Sequence, residues 1–142
     1  MHANISLRPR EVVITLSCAA GGGFVGTLLR YELTSIEHLP SPALAGVTWL
    51  QEVPWALLAV NAVGVLLATA LLRGPLRHHD PNDRTRVLLV SGFFGGLTSY
   101  SGLFVDLAAV WHVSATGCLV VVVWMLASGV GAAWLGLAVH RR

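Results

Sequence analysis

Glycines and hydroxyl side chains interrupt an apolar run in the second half of the chain, over residues 92–106 with the sequence GFFGGLTSYSGLFVD. Gly95, Gly96 and the hydroxyl residues after them lower helix propensity and supply local partners for freed backbone groups. A helix broken inside a bilayer presents free carbonyls to a cation at one half-end and free amides to an anion at the other. The pattern therefore predicts an ion-handling site.

Among the other polar side chains within or at the end of apolar runs, three could have a function: Asn61, Ser128 and Arg30. Asn61 could form a helix-to-helix hydrogen bond or contribute to a pathway through the membrane. Ser128 could bond back to a carbonyl of its own helix. Arg30 ends its run, where a long side chain can reach the membrane surface as an anchor. These residues alone leave structural and functional roles open.

The composition is that of a membrane protein. The 142 residues are 55% hydrophobic and 11% charged, with a mean hydropathy of +0.71, and their number predicts a single domain over 1–142. Lysine is absent, and the nine arginines lie almost wholly outside the apolar runs, as the cost of burying charge in lipid requires. No basic patch with interleaved aromatics occurs, so no nucleic-acid partner is expected.

Four apolar runs are long enough to cross a hydrocarbon layer of about 30 Å. The predicted spans are residues 11–31, 54–72, 87–110 and 113–139. The weakened stretch lies near the middle of the third span, and the GxxxG pair Gly22 and Gly26 predicts close packing of another helix on the first. The expected fold is an all-α membrane protein with four transmembrane helices and a broken third helix.

The arginines predict how the chain crosses the membrane. Eight of them fall on one side of the predicted spans and only Arg30 falls on the other. Because positive residues accumulate on the cytoplasmic side, both termini are expected in the cytoplasm of a multi-pass protein of the cell membrane.

Three segments in order resemble the small fluoride channels of the CrcB or Fluc family: GGGFVGTLLRY (21–31), LLAVNAVG (57–64) and GFFGGLTSYS (92–101). The resemblance implies an antiparallel dimer of subunits inserted in opposite directions, with two fluoride pores. It also implies one structural sodium ion at the dimer centre, held by main-chain carbonyls that map to Gly95 and Thr98. Oxygen ligands suit such a hard cation.

The resemblance also implies an anion path. Fluoride is strongly hydrated, so a dry pore must replace its water with hydroxyls, an amide NH₂ and the positive edges of aromatic rings. The family pattern GGLTTFSTF has two pore phenylalanines where this chain has Tyr100 and Leu103, and a threonine in place of Gly102. The residues assigned to the path are Asn61, Tyr100, Ser101, Leu103 and Ser128, with Arg30 in a vestibular or structural role.

The implied function is that of a fluoride-specific channel subunit, and not of an enzyme, which lowers cytoplasmic fluoride by passive export. The unbalanced arginines predict insertion in one direction, and therefore a heterodimer with an oppositely oriented homologue. Two alternatives stay open: a non-conducting structural partner of another channel subunit, and a small multidrug-type proton antiporter. An antiporter needs a carboxylate deep in a span, whereas Glu11 lies near a span end.

Overall fold

The structure, a computed structural model, describes residues 9–35, 48–74, 76 and 83–139, without the side chains of Thr48 and Tyr100. All regular elements within these residues are helical. They are α1 (Pro9–Ser35), α2 (Thr48–Gln51), α3 (Trp55–Arg73), α4 (Arg84–Arg86), a π-helical segment (Val87–Phe94), α5 (Gly95–Leu97), α6 (Tyr100–Val113) and α7 (Ala115–Ala138). Residues 36–47, 75 and 77–82, which fall between predicted spans, lie outside the described residues.

Four helical stretches are long and apolar enough to cross a membrane: Pro9–Ser35, Trp55–Arg73, Arg84–Val113 and Ala115–Ala138. Large apolar side chains are exposed along them, including Val105 at 74%, Val130 at 70% and Phe104 at 68%. Lipid tails cover such surfaces without the free-energy cost that water would impose. The prediction of an all-helical, multi-pass membrane protein with four spanning helices is confirmed.

α1 approaches the third stretch so closely that no side chain fits between the backbones. A Cβ on Gly22 would lie 2.8 Å from the amide nitrogen of Phe93, and one on Gly26 would lie 2.9 Å from that of Leu97. From the opposite side, a Cβ on Gly92 would lie 2.7 Å from the Ala19 carbonyl oxygen. Small residues permit such contacts between membrane helices. The predicted close packing of another helix at Gly22 and Gly26 is confirmed. The elements that pack there are the π-helical segment and α5.

The apolar core lies between α3, α6 and α7. Leu103 of α6 is wholly buried there, and α3 and α7 meet at Gly136, where a Cβ would collide with the Thr69 hydroxyl. This core fixes the position of α6 relative to α3. Its members are Val53, Leu57, Leu58, Leu103, Leu107, Val121 and Met125.

α1 continues past the predicted end of its span at residue 31 to Ser35. The Thr34 hydroxyl donates to the Arg30 carbonyl at 3.0 Å, and the Ser35 hydroxyl donates to the Tyr31 carbonyl at 2.6 Å. These bonds satisfy carbonyls that would otherwise lack partners at a helix end. Arg30 therefore lies within the helix, about one turn before its end.

Two extended residues separate α5 from α6. Thr98 has φ −89° and ψ 121°, and Ser99 has φ −133° and ψ 114°. Ser99 is the N-cap of α6, and its hydroxyl accepts a hydrogen bond from the Gly102 amide at 3.2 Å. Such a side-chain bond satisfies one of the amides that the first turn of a helix leaves without an intrahelical partner.

Candidate functional site

Asn61 of α3 holds the backbone of Ser99 from both sides. Asn61 Oδ1 accepts from the Ser99 amide at 2.9 Å, and Asn61 Nδ2 donates to the Ser99 carbonyl at 3.3 Å. Asn61 is 5% exposed and is the one buried polar side chain in the described part of the chain. A buried amide must satisfy its polar groups, and these two hydrogen bonds satisfy those of Asn61 by joining two spans. The helix-to-helix bond predicted as one role of Asn61 is therefore present.

Hydroxyl groups gather at the same place. The Ser99 and Ser101 hydroxyls lie 3.1 Å apart, and Ser101 is exposed. Thr98 donates its hydroxyl to the Phe94 carbonyl at 2.8 Å, so this group is engaged within its own segment. The methyl group of Thr98 packs against α3, since a Cβ on Gly64 would lie 2.6 Å from it. The α5–α6 junction thus joins the Asn61 amide and two serine hydroxyls in one polar cluster.

Arg30 reaches this cluster from α1. A Cβ on Gly102 would lie 3.1 Å from Arg30 Nη1 and 3.5 Å from the Ser99 hydroxyl, so the guanidinium lies over Gly102. Arg30 and Gly102 both line a cavity of about 550 Å³, referred to below as the vestibule. Its lining residues are Arg30, Tyr31, Thr34, Ser35, Gln51, Glu52, Val53, Pro54, Leu57, Gly102, Val105, Asp106 and Ala109.

The vestibule carries charges of both signs. Arg30 provides the positive charge, and Glu52 and Asp106 provide carboxylates. Arg30 Nε is buried without a hydrogen-bond partner, which distinguishes it from the other buried side-chain nitrogens and oxygens in the described ranges. A buried donor that lacks a partner is unfavourable, so this arginine is suited to bind an anionic or polar ligand.

Two backbone carbonyls near the end of α5 accept hydrogen bonds from threonine residues. Thr98 directs its amide to the Phe94 carbonyl at 2.9 Å, and the Thr27 hydroxyl lies 3.4 Å from the Gly96 carbonyl. No group of three or more His, Cys, Asp or Glu side chains that could hold a metal occurs among the residues the structure describes. A cation at this junction would therefore need main-chain carbonyls, which are ligands that hard cations accept. The oxygen donors available at the junction are thus of the type that suits a sodium ion.

The remaining predicted residues lie in different surroundings. Leu103 packs in the apolar core with none of its surface exposed. Ser128 donates to the Met125 carbonyl at 3.0 Å within α7, and no hydrogen bond in the described ranges joins it to the polar cluster. Tyr100 begins α6, but its side chain lies outside the described residues. The structure thus brings together Asn61, Ser101 and Arg30, but does not bring Ser128 to them.

Ser99 is central to the cluster but is not among the sequence-predicted site residues. Its Ser-x-x-Gly spacing is the signal that could have revealed it, because a serine N-cap bonds the amide three residues ahead. The same spacing recurs at the start of α7, where the Ser114 hydroxyl accepts from the Gly117 amide at 3.0 Å. The spacing predicts the cap, but not its contact with Asn61.

Comparisons with known proteins agree with the resemblance. A family model described as CrcB-like protein, Camphor Resistance (CrcB), matches residues 17–137. A protein of Agrobacterium fabrum named fluoride-specific ion channel FluC is 31% identical over 132 residues, which are 91% of this chain and 98% of the relative. A protein of the same name from Chelativorans sp. is 31% identical over 121 residues, covering 84% and 90% of the two chains. FluC 1 of Natronomonas pharaonis is 32% identical over 95 residues, covering 67% and 66%. The chain therefore belongs to the CrcB family of membrane proteins.

Proposed function

We propose that this chain is a subunit of a fluoride-specific ion channel that lowers cytoplasmic fluoride by passive export. The observation that carries the proposal is the polar cluster of Asn61, Ser99 and Ser101, which lies between spanning helices of a chain similar over most of its length to proteins named fluoride channels. Hydroxyl and amide donors are the groups that can replace the water around fluoride. Relatives named as channels also favour transport over enzyme chemistry.

The proposed anion path begins at the vestibule and follows the polar cluster. Arg30 attracts the anion, and its unpartnered Nε supports this role. Asn61 uses one amide hydrogen on the Ser99 carbonyl, so its second hydrogen stays available for an anion. Ser128 joins the path only where a partner subunit completes it, since within one chain it bonds its own helix, whereas Leu103 is wholly buried in the core and would have to move to reach the path. The path residues are Asn61, Tyr100, Ser101, Leu103 and Ser128.

A structural sodium ion is proposed at the break in the third span. The carbonyls of Gly95 and Thr98 would hold it, together with the equivalent carbonyls of a partner subunit. The extended backbone of Thr98 and Ser99 supports this assignment, because regular helical bonding stops there. When bound, the ion supplies positive charge that offsets the carbonyl dipoles at the centre of a dimer.

The proposed assembly is an antiparallel heterodimer with a homologous subunit of opposite orientation. Eight arginines against one favour a single direction of insertion, with both termini in the cytoplasm. Exposed apolar side chains on α7, including Trp124 at 60% and Val123 at 64%, provide a surface that a partner or lipid covers. An interior-negative potential then drives fluoride outward with about 2.3 kcal/mol per 100 mV.

Two alternative functions are distinguished from the channel by particular residues. A structural partner would complete another subunit's pore without conducting by itself, and the core position of Leu103 is the observation that favours it. A proton antiporter would need Glu11, which is 51% exposed and paired with Arg84 at the start of α1. That exposure is unfavourable for proton coupling within a span.

Ion efflux from liposomes tests the proposed function. The purified chain, alone and co-purified with an oppositely oriented homologue, is reconstituted into vesicles loaded with potassium fluoride or potassium chloride. Valinomycin carries the compensating potassium, and ion-selective electrodes record release. We expect fluoride release without chloride release in at least one preparation. Equal release of the two anions, or no fluoride release from either preparation, would contradict the proposal.

A further inference from the structure

Two amides at the α5–α6 junction bond side chains where a continuous helix would use carbonyls. In an uninterrupted α-helix each N–H bonds the carbonyl four residues earlier, so Ser99 would bond Gly95 and Gly102 would bond Thr98. Instead, the Ser99 amide bonds Asn61 Oδ1 at 2.9 Å, and the Gly102 amide bonds the Ser99 hydroxyl at 3.2 Å. In a continuous helix these two amides would occupy the carbonyls of Gly95 and Thr98, which the proposed function assigns to sodium.

The Asn61 side chain is fixed in the position where it accepts the hydrogen bond of the Ser99 amide. Its two hydrogen bonds to Ser99 are made by opposite ends of one carboxamide, so the group cannot rotate without losing both. The side chain is 5% exposed, and a lost bond there would leave buried polar groups unsatisfied. Gly64, on the same face of α3, seats the Thr98 methyl group. α3 therefore holds both extended residues.

The Ser99 hydroxyl accepts the hydrogen bond of the second amide, that of Gly102. As N-cap of α6 it offers its hydroxyl to Gly102, and no other side-chain acceptor in the described ranges bonds this amide. Thr98 cannot replace it, because the Thr98 hydroxyl donates to the Phe94 carbonyl at 2.8 Å. Without the Ser99 hydroxyl, the Gly102 amide loses the bond that fixes where α6 begins, and a helix extended back by one turn would place this amide on the Thr98 carbonyl.

We infer that Asn61 and Ser99 are positioning residues of the proposed sodium site. Asn61 accepts the Ser99 amide hydrogen, which would otherwise occupy the Gly95 carbonyl. Ser99 accepts the Gly102 amide hydrogen, which would otherwise occupy the Thr98 carbonyl. Neither side chain contacts the ion in this role. The inference rests on the proposed function for the presence of sodium, and gives Asn61 a second role beside the anion path.

The sodium dependence of thermal stability tests the inference. The melting temperature of the purified wild-type protein is measured in sodium chloride and in N-methylglucamine chloride of equal ionic strength. An ion that binds only the folded state raises this temperature. We expect the increment from sodium to fall or vanish in Asn61→Ala and in Ser99→Ala, and to persist in Ser99→Thr, which keeps an acceptor hydroxyl.

Ser114→Ala is the matched control, because Ser114 caps α7 with the same spacing and a bond of 3.0 Å. Its melting temperature should fall equally in both salts, leaving the sodium increment intact. If Asn61→Ala does not fold, the Ser99→Ala and Ser99→Thr pair decides. A full wild-type increment in the variants would overturn the inference, as would a wild type without any increment.

Fluoride efflux from the same preparations separates this outcome from failure of the proposed function. A wild type that releases fluoride but shows no sodium increment overturns the inference and leaves the channel assignment standing. A wild type that shows a sodium increment lost in Ser99→Ala, but releases no fluoride, supports the inference and contradicts the channel assignment.

Discussion

Leu103 lies where the family pattern carries a pore phenylalanine, yet its side chain is wholly buried among apolar residues of α3, α6 and α7. A phenylalanine there must displace its neighbours, and overpacking a core costs about 1–3 kcal/mol. We expect Leu103→Phe, although it restores the family residue, to lower the free energy of unfolding by this amount. Denaturant or thermal unfolding in detergent measures the change.

The adjacent Phe104 provides the control for that exchange, since it is 68% exposed. Phe104→Leu makes the reverse change at a surface position and should leave the unfolding free energy within about 0.5 kcal/mol. A Leu103→Phe protein of unchanged stability with faster fluoride efflux would show that the position belongs to a pore in need of an aromatic ring.

The contact between α1 and the third stretch gives a prediction about packing of elements. Gly22→Ala places a methyl group 2.8 Å from the Phe93 amide nitrogen, and a backbone atom cannot rotate away as a side chain can. We expect a loss of at least about 1–3 kcal/mol of stability, measured as a lower melting temperature in detergent.

Gly21, the preceding residue, provides the matched control because a Cβ there would meet nothing within 4 Å. Gly21→Ala should keep or raise stability, since alanine is favoured over glycine in helices by about 1 kcal/mol. Similar melting temperatures for the two alanine variants would contradict the close approach of the helices.

The ion pair between α1 and α4 distinguishes a channel from a proton antiporter. Glu11 Oε2 and Arg84 Nη2 lie 3.0 Å apart, with side chains 51% and 40% exposed. Solvent screens such a pair, so its removal should cost less than about 1 kcal/mol. We expect Glu11→Gln to lower the melting temperature slightly, as Arg84→Gln should, and to keep fluoride efflux. Proton-coupled cation uptake by the wild type that Glu11→Gln abolishes would favour the antiporter.

The helices themselves follow from the sequence, because long apolar runs must satisfy their backbone groups inside lipid and an isolated segment does so as a helix. Gly22 and Gly26 predict that a helix packs closely, but not which one, since the pairing is tertiary. The π-helical register of Val87–Phe94 has no counterpart in the residue pattern. The extension of α1 to Ser35 depends on hydroxyl bonds that favour continuation only once the turn exists.

The sequence likewise predicts the local features of the site but not the contacts between its helices. The glycine and hydroxyl composition of residues 92–106 predicts a weakened helix. The family resemblance predicts that Asn61 contributes to the anion path. The bond from Asn61 to Ser99, and the place of Arg30 over Gly102, each join separate helices. Contacts of this kind are set by the packing of the whole bundle, which local propensity does not determine.

Orientation is a property of the whole molecule and tests the proposed heterodimer. A cysteine added at the C-terminus of a variant lacking Cys18 and Cys118 should react with a membrane-impermeant maleimide only from the cytoplasmic face, because the arginines favour one direction of insertion. A co-expressed homologue of opposite charge bias should co-purify with the chain and react from the other face. Equal reaction from both faces, or isolation of homodimers only, would contradict the heterodimer.

Fluoride efflux driven by voltage alone is the measurement that tests passive export most directly. Vesicles containing the purified complex are held at equal pH inside and outside, and a potassium gradient with valinomycin sets the potential. We expect the efflux rate to follow the potential at equal, strongly buffered pH, and to stay unchanged when a pH difference is imposed at constant potential. Fluoride movement that requires an imposed pH gradient and does not respond to the potential would contradict a passive channel.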